Sequence, residues 1–236
     1  MTKSVPQFPR FRGPSLIPLA IVHILLFVAG LASAAMLRHG ASYVTPFAPA
    51  EQLRLFFAGN LSATRVGSFF LFGSAVPFGI FAVTAVSRLK FLGVRATGTG
   101  IALLGGMVAT IALLVSGMAG WVLSIPEVSD SAQIVKAIAF LSFLSGGVLY
   151  AVGFGLLAAG VSITSYFMRL MPRWVVFLGI ALAVTGELSW FSLLAYPANF
   201  FIPITRFLGF LWMIFAAIDL MRDRRPAPGD PVSVSA

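Results

Sequence analysis

The sequence predicts an all-α polytopic membrane protein built as a bundle of six transmembrane helices. Of the 236 residues, 59% are hydrophobic and only 10% are charged, whereas about a quarter of the residues in a soluble domain are charged. The apolar residues also come in long continuous runs, unlike the ~10-residue alternating strands of a membrane β-barrel. Lipid is therefore expected to cover most of the surface, because too few polar residues are present to do so.

Six apolar runs are long enough to cross the hydrocarbon core, which takes about 20 helical residues. They predict helices at 16–37, 63–86, 97–122, 134–161, 174–194 and 204–221. A further segment at 49–60 begins with proline and places Glu51 where helix starts favour an acid. Leu53, Phe56 and Phe57 share one face of it, which predicts an interfacial helix or an outward extension of the second span.

These runs form one transmembrane domain at 15–221, between an N-terminal tail at 1–14 and a C-terminal tail at 222–236 that is predicted to be disordered. The first run also resembles a signal peptide, because basic residues precede it and Ala32-Ser33-Ala34 matches a cleavage pattern. Its length favours an uncleaved helix, because a signal core is usually shorter.

The distribution of Lys and Arg predicts the orientation. One side of the predicted topology carries eleven of them and the other carries five. The richer side belongs in the cytoplasm, and an even number of spans returns both termini to it. The eleven are Lys3, Arg10, Arg12, Arg88, Lys90, Arg95, Arg169, Arg173, Arg222, Arg224 and Arg225, and the five are Arg38, Arg54, Arg65, Lys136 and Arg206.

Composition and motifs exclude several functional classes. Without cysteine there is no disulfide, thiolate nucleophile or cysteine-held metal centre. The net charge of +9 comes from short basic clusters between apolar runs, so no nucleic-acid partner is predicted. No nucleotide-binding, zinc-protease or serine-hydrolase motif is present. No catalytic residue or metal ligand is assigned, the cofactor is unknown, and a non-enzymatic role is favoured.

One acid inside a predicted span is the main candidate for function. Glu187 lies in the outer third of the fifth run, where ionisable side chains are costly and usually functional. Arg206 and Arg65 begin the sixth and second runs at the same predicted level, and Trp190 is one turn after Glu187. We predict an outward-facing ligand site from these four residues. A purely structural Glu/Arg pair between helices is the alternative.

His23 is the one histidine predicted inside a span. It is a candidate proton relay, but a hydrogen bond to a neighbouring helix is the favoured explanation. The glycines of the third and fourth runs predict close helix packing. The tryptophans and tyrosines, among them Tyr150 and Trp212, are predicted to anchor helix ends at the membrane interfaces.

Two segments resemble a family of uncharacterised bacterial six-helix membrane proteins, a domain of unknown function. They are 170–179, with Pro172, Arg173 and Trp174, and 202–213, with Pro203, Arg206, Gly209 and Trp212. The resemblance covers mainly the last third of the chain. It implies the six-helix architecture and a bacterial cytoplasmic (inner) membrane, and it implies no activity.

Two functions follow as expectations. The first is a small membrane protein that binds or moves a hydrophobic or amphiphilic molecule at the Glu187 site. The second is a non-catalytic accessory or structural subunit, because no catalytic motif is present. Expected partners are the lipid bilayer, a hydrophobic ligand or a membrane-protein partner, and a second copy of the chain.

Overall fold

The computed structural model describes residues 11–222, and the predicted all-α six-span architecture is confirmed. Parts of both predicted tails, at 1–10 and 223–236, lie outside the described residues. Within 11–222 there are eight α-helices: α1 Leu16–Leu37, α2 Ala50–Gly59, α3 Leu61–Phe91, α4 Gly98–Val122, α5 Ala132–Phe143, α6 Tyr150–Phe167, α7 Arg173–Leu188 and α8 Phe201–Met221.

Six spans arise from these elements. Five correspond to α1, α3, α4, α7 and α8, and the sixth joins α5 to α6 through a π-helical turn at Leu144–Leu149. Short 3-10 turns at Pro126–Asp130, Ser189–Leu193 and Tyr196–Phe200 complete the loops. The spans form a closed ring in the order α1, α3, α4, α5/α6, α7, α8 and back to α1.

The two ends of the ring differ. One end, here called the α2 end, holds α2 together with the last turns of α1, α4 and α7 and the first turns of α3, α5 and α8. The opposite end, here called the terminal end, holds the first turn of α1 and the last turn of α8. The segment at 49–60 does form a helix, separated from α3 by Asn60 alone. Its buried residues Leu53 and Phe57 pack with Leu123, Val135 and Ala139 from α4 and α5.

Glycine lets the helices approach closely, as predicted. A β-carbon on Gly153 of α6 would lie 2.6 Å from the Ala109 nitrogen of α4, and one on Gly105 would lie 2.5 Å from the Leu157 nitrogen. Both distances are too short for a side chain. Because lipid offers no hydrophobic drive between helices, such backbone contact is what holds membrane helices together.

The centre of the ring is aromatic. Phe78, Tyr150, Phe154 and Trp212 are at most 1% exposed and follow one another with ring centroids 5.8 Å apart at successive contacts. The prediction of interface anchoring was wrong for Tyr150 and Trp212. Their rings are large enough to fill the space left where six small-faced helices meet, and this outweighs the preference for headgroups.

The terminal end is closed by a buried arginine. Arg88 was predicted in a loop, but α3 continues through it and its side chain is buried. Its Nε donates to the Leu220 carbonyl at 2.8 Å, and it also donates to the Arg222 carbonyl. Asp219, buried in the same turn of α8, forms an ion pair with Arg222 at 3.1 Å. These contacts fasten the end of α3 to the end of α8.

Candidate ligand cavity

A partly open cavity of about 470 Å³ lies at the α2 end, within the size range of small-molecule sites. It is bounded by α1, α2, α3, α4, the α5/α6 span and α8. Most of its wall is apolar, contributed by residues that include Phe27, Leu31, Leu53, Phe56, Phe57, Leu71, Leu123, Phe143, Ile202 and Phe207. Its polar residues are Arg38, Tyr43, Thr64, Ser68, Ser116, Ser142 and Arg206.

Arg206 is the central polar group of the cavity. It lies in the second turn of α8, and its guanidinium is sandwiched between the rings of Phe27 at 4.9 Å and Tyr150 at 4.4 Å. Its Nη2 donates to the Gly146 carbonyl, while its buried Nε has no hydrogen-bond partner. Within residues 11–222, no carboxylate forms an ion pair with it. The aromatic faces offset part of the cost of burying this charge.

The π-helical turn positions the acceptor for Arg206. Its wider i→i+5 pattern interrupts the α-helical bonding of the fourth span, and such turns occur often at functional sites. The turn contains Gly146 and Gly147, and Gly146 has no side chain to cover its carbonyl. A β-carbon on Gly146 would also overlap Ser116 Oγ. Glycine at this position therefore allows both α4 and α8 to reach the turn.

A reciprocal serine pair forms another part of the wall. Ser116 Oγ of α4 donates to the Ser142 carbonyl at 2.8 Å, and Ser142 Oγ donates to the Ser116 carbonyl at 3.2 Å. The two hydroxyl oxygens are 3.2 Å apart. These bonds tie α4 to the end of α5, directly before the π turn, and so help to hold that turn in place.

The mouth of the cavity carries a second arginine. Arg38 caps the end of α1, where its Nε donates to the Ala34 carbonyl at 3.1 Å. Its guanidinium lies 5.8 Å from the ring centre of Tyr43, in the loop that leads to α2. The loop turns at His39 and Gly40, both of which have positive φ. This turn brings the loop and α2 back over the cavity.

The structure places the four predicted site residues in three different environments. Only Arg206 lines the cavity. Arg65 donates to the hydroxyl and carbonyl oxygens of Ser124 at 3.3 and 3.1 Å, which ties α3 to the end of α4. Glu187 is exposed in the last turn of α7, and among the described residues it has no ion pair with Arg206 or Arg65. Trp190 is exposed and stacks on Phe191 at 4.7 Å.

His23 lies in the core, outside the cavity wall. Its Nδ1 is 2.8 Å from the Ser74 carbonyl of α3, and its Nε2 has no partner within residues 11–222. The rings of Phe78 and Phe210 are 5.1 and 5.6 Å away. The hydrogen bond to a neighbouring helix is therefore present, and the role as proton relay stays a prediction.

Sequence reasoning missed Arg38, the serine pair and the π turn. The pair Gly146-Gly147 directly after Ser145 was a signal of irregular helix geometry, because glycine and serine favour distortions of membrane helices. Nothing in the sequence around Arg38 indicated that it would reach the same cavity as Arg206.

No protein-family model, no curated protein and no solved structure matches this chain. Functional argument therefore depends on the cavity and its side chains.

Proposed function

We propose that this chain binds, or moves across part of the bilayer, a hydrophobic or amphiphilic small molecule held in the cavity at the α2 end. The observation that carries the proposal is Arg206, a partly buried cation whose Nε is fully buried and which has no carboxylate partner among residues 11–222, in the wall of a largely apolar cavity. An apolar pocket with a few converging polar groups is the usual form of a small-molecule site.

The energetic cost of Arg206 supports this proposal. Placing an arginine inside a span costs roughly 2.5–3.5 kcal/mol or more on insertion scales. The two aromatic faces and one carbonyl offset part of that cost, but buried Nε keeps no acceptor. A ligand that supplies an acceptor to Nε would offset the rest of this cost. Ligand binding would therefore explain why an arginine occupies this position.

The side of the membrane to which the cavity opens follows from the predicted orientation of the chain. The α2 end carries the poorer set of basic residues, so it faces away from the cytoplasm and both termini lie in the cytoplasm. Together with the resemblance described above, this orientation supports a multi-pass protein of a bacterial inner membrane. Its cavity would open toward the outer leaflet. A reporter of periplasmic exposure inserted in the loop at 38–49 tests the orientation.

Native mass spectrometry of the gently solubilised protein from its own membranes tests the proposed function. We expect a small molecule to be retained by the wild-type protein. Thr64→Phe places a ring in the cavity wall and should release that molecule, whereas Val76→Phe on the exposed face of the same helix should retain it. A folded protein that retains no molecule, or retention that is unchanged in Thr64→Phe, contradicts the proposal.

An accessory subunit is the second candidate, and Glu187 favours it. Its carboxylate is exposed on α7 beside the exposed apolar residues Val184, Trp190 and Phe191. A basic group of another membrane protein would pair with it favourably at low dielectric. Retention of a protein partner by the wild-type chain, and its loss in Glu187→Gln, would support this candidate over the first.

A further inference from the structure

We infer that the molecule bound in the cavity is a single-chain amphiphile with an anionic head group, a carboxylate or a phosphate monoester, seated on Arg206. This inference rests on the proposed function and deepens it by naming the ligand class. Four features of the cavity carry it: its charge, the free donors of Arg206, its apolar wall and its volume.

The charge of the cavity wall is entirely positive. Arg38 at the mouth and Arg206 inside are its charged residues, and no Asp or Glu is among the lining residues in the described part of the chain. Two like charges facing one cavity of low dielectric repel each other and raise the cost of burying either. An anion seated on Arg206 would be attracted by both charges.

Arg206 has N–H groups that make no hydrogen bond among the described residues. A guanidinium carries five N–H groups, and among the described residues only Nη2 makes a hydrogen bond, to Gly146. Nε is buried without a partner, and Nη1 makes no hydrogen bond. Phe27 and Tyr150 contact the guanidinium without accepting a conventional hydrogen bond from it, so its remaining N–H groups stay available for carboxylate or phosphate oxygens, which a guanidinium can bind through two parallel hydrogen bonds.

The rest of the wall fits one apolar chain. Aromatic and aliphatic side chains from α1, α2, α3 and α8 line it. If each heavy atom takes the roughly 30 Å³ that a water molecule takes in the liquid, the volume of about 470 Å³ holds on the order of fifteen heavy atoms. This is the size of one acyl chain with its head group, and it is too small for a two-chain phospholipid.

Arg206 as a structural support is the rival explanation. In that case the guanidinium would only fasten α8 to the π turn through Gly146, and the cavity would take neutral and anionic molecules alike. The two explanations differ in their predictions for a pair of ligands that share a chain and differ in charge.

Equilibrium binding of labelled dodecanoate, dodecyl phosphate and dodecanol to the purified full-length protein in non-ionic detergent at pH 8 separates them. We expect at least one anion to bind the wild-type protein at least about tenfold more tightly than the alcohol, since a hydrogen bond to a charged group is worth about that factor or more. Comparison of the two anions identifies which head group is preferred.

Arg206→Gln is expected to weaken binding of the anions much more than binding of dodecanol, so that the preference disappears, and Arg206→Lys is expected to restore part of it. Arg65→Gln is the matched control, because Arg65 lies at the same end of the bundle and donates to Ser124 outside the cavity wall. It should bind all three ligands as the wild-type protein does.

The outcomes separate the inference from the proposed function. Equal binding of the anions and the alcohol by the wild-type protein overturns the inference and leaves the proposed function standing. Binding of none of the three, together with the absence of a retained molecule in native mass spectrometry, overturns both. Because the wild-type comparison needs no variant, the inference is decided even if Arg206→Gln fails to fold.

Discussion

Two arginines lie at opposite ends of the bundle, Arg88 buried and Arg206 partly buried, and α8 links them. Arg88 reaches the last turn of α8, where the helix presents free carbonyls and the negative end of its dipole. Arg206 belongs to the second turn of α8, near the positive end of the same dipole, and makes one backbone hydrogen bond. Arg88 thus makes two hydrogen bonds that join helices at one end, whereas Arg206 makes one at the other and keeps a buried Nε without a partner among the described residues, which points to binding.

The largest effect is expected at the terminal end. Arg88→Gln should lower the free energy of unfolding by about 3 kcal/mol, because two hydrogen bonds from a buried charged donor to the end of α8 are lost. Thermal unfolding in detergent measures this. Lys90→Gln, in the same turn but exposed, is the control and should change stability little. A small loss for Arg88→Gln would show that the end of α8 is held by other contacts.

At the α2 end, Arg206→Gln should change stability by less than about 1 kcal/mol in either direction. The lost hydrogen bond to Gly146 is offset by removal of an uncompensated buried charge. The measurement is the same unfolding experiment with no added amphiphile. A loss of unfolding free energy as large as that of Arg88→Gln would contradict the contrast between the two arginines. It would show that Arg206, like Arg88, stabilises the fold.

An effect smaller than that of Arg88→Gln is expected from the serine pair that directly precedes the π turn. Ser116→Ala removes the hydrogen bond to the Ser142 carbonyl and should cost about 1 kcal/mol of unfolding free energy. Ser33→Ala, which removes a bond within one helix to Ala29, is the matched control and should cost less. Equal losses for the two variants would indicate that the pair does not hold α4 to α5.

The smallest effect is expected from the exposed ion pair on α2. Arg54 hydrogen-bonds to the Glu51 carboxylate at 2.6 and 2.8 Å and lowers the pKa of that carboxyl below its ordinary value of 4.5. A lowered folded-state pKa stabilises the folded protein above the ordinary value, and this contribution disappears as the pH falls. Unfolding from pH 7 to pH 3 should therefore differ slightly between wild type and Glu51→Gln, with the difference shrinking at low pH. A constant difference would exclude the pair as its source.

The sequence predicted the spans better than the cavity. Hydropathy over about 20 residues identifies a span, so all six were found, although α3 extends to Phe91 and α7 ends at Leu188. The same averaging cannot show which face of a helix is buried, so Tyr150 and Trp212 were placed at interfaces. Glu187 was predicted to be functional because an acidic side chain inside a span is costly. Because α7 ends at Leu188, Glu187 lies in the last turn of the helix, where its side chain is exposed.

The partners of Arg206 could not be predicted for a different reason. Phe27, Gly146 and Tyr150 lie more than fifty residues away along the chain and meet Arg206 only when the ring of helices closes. Arg206 itself was identified, since an arginine at the start of a span is unusual wherever its partners lie.

The π turn at Leu144–Leu149 also constrains how the chain tolerates changes in length. A π turn takes up one residue more than an α-helix would over the same rise, and each α-helical residue advances the helix by about 100°. If the turn became a regular α-helix without losing a residue, the extra residue would rotate α6 against α5 by about that angle. Gly146 would then no longer face Arg206, and Gly153 would turn away from Ala109. Deleting one residue of the turn, by contrast, would give a regular helix in which α6 keeps nearly its present orientation toward α4, so the fourth span should tolerate the loss of a residue here better than the gain of one.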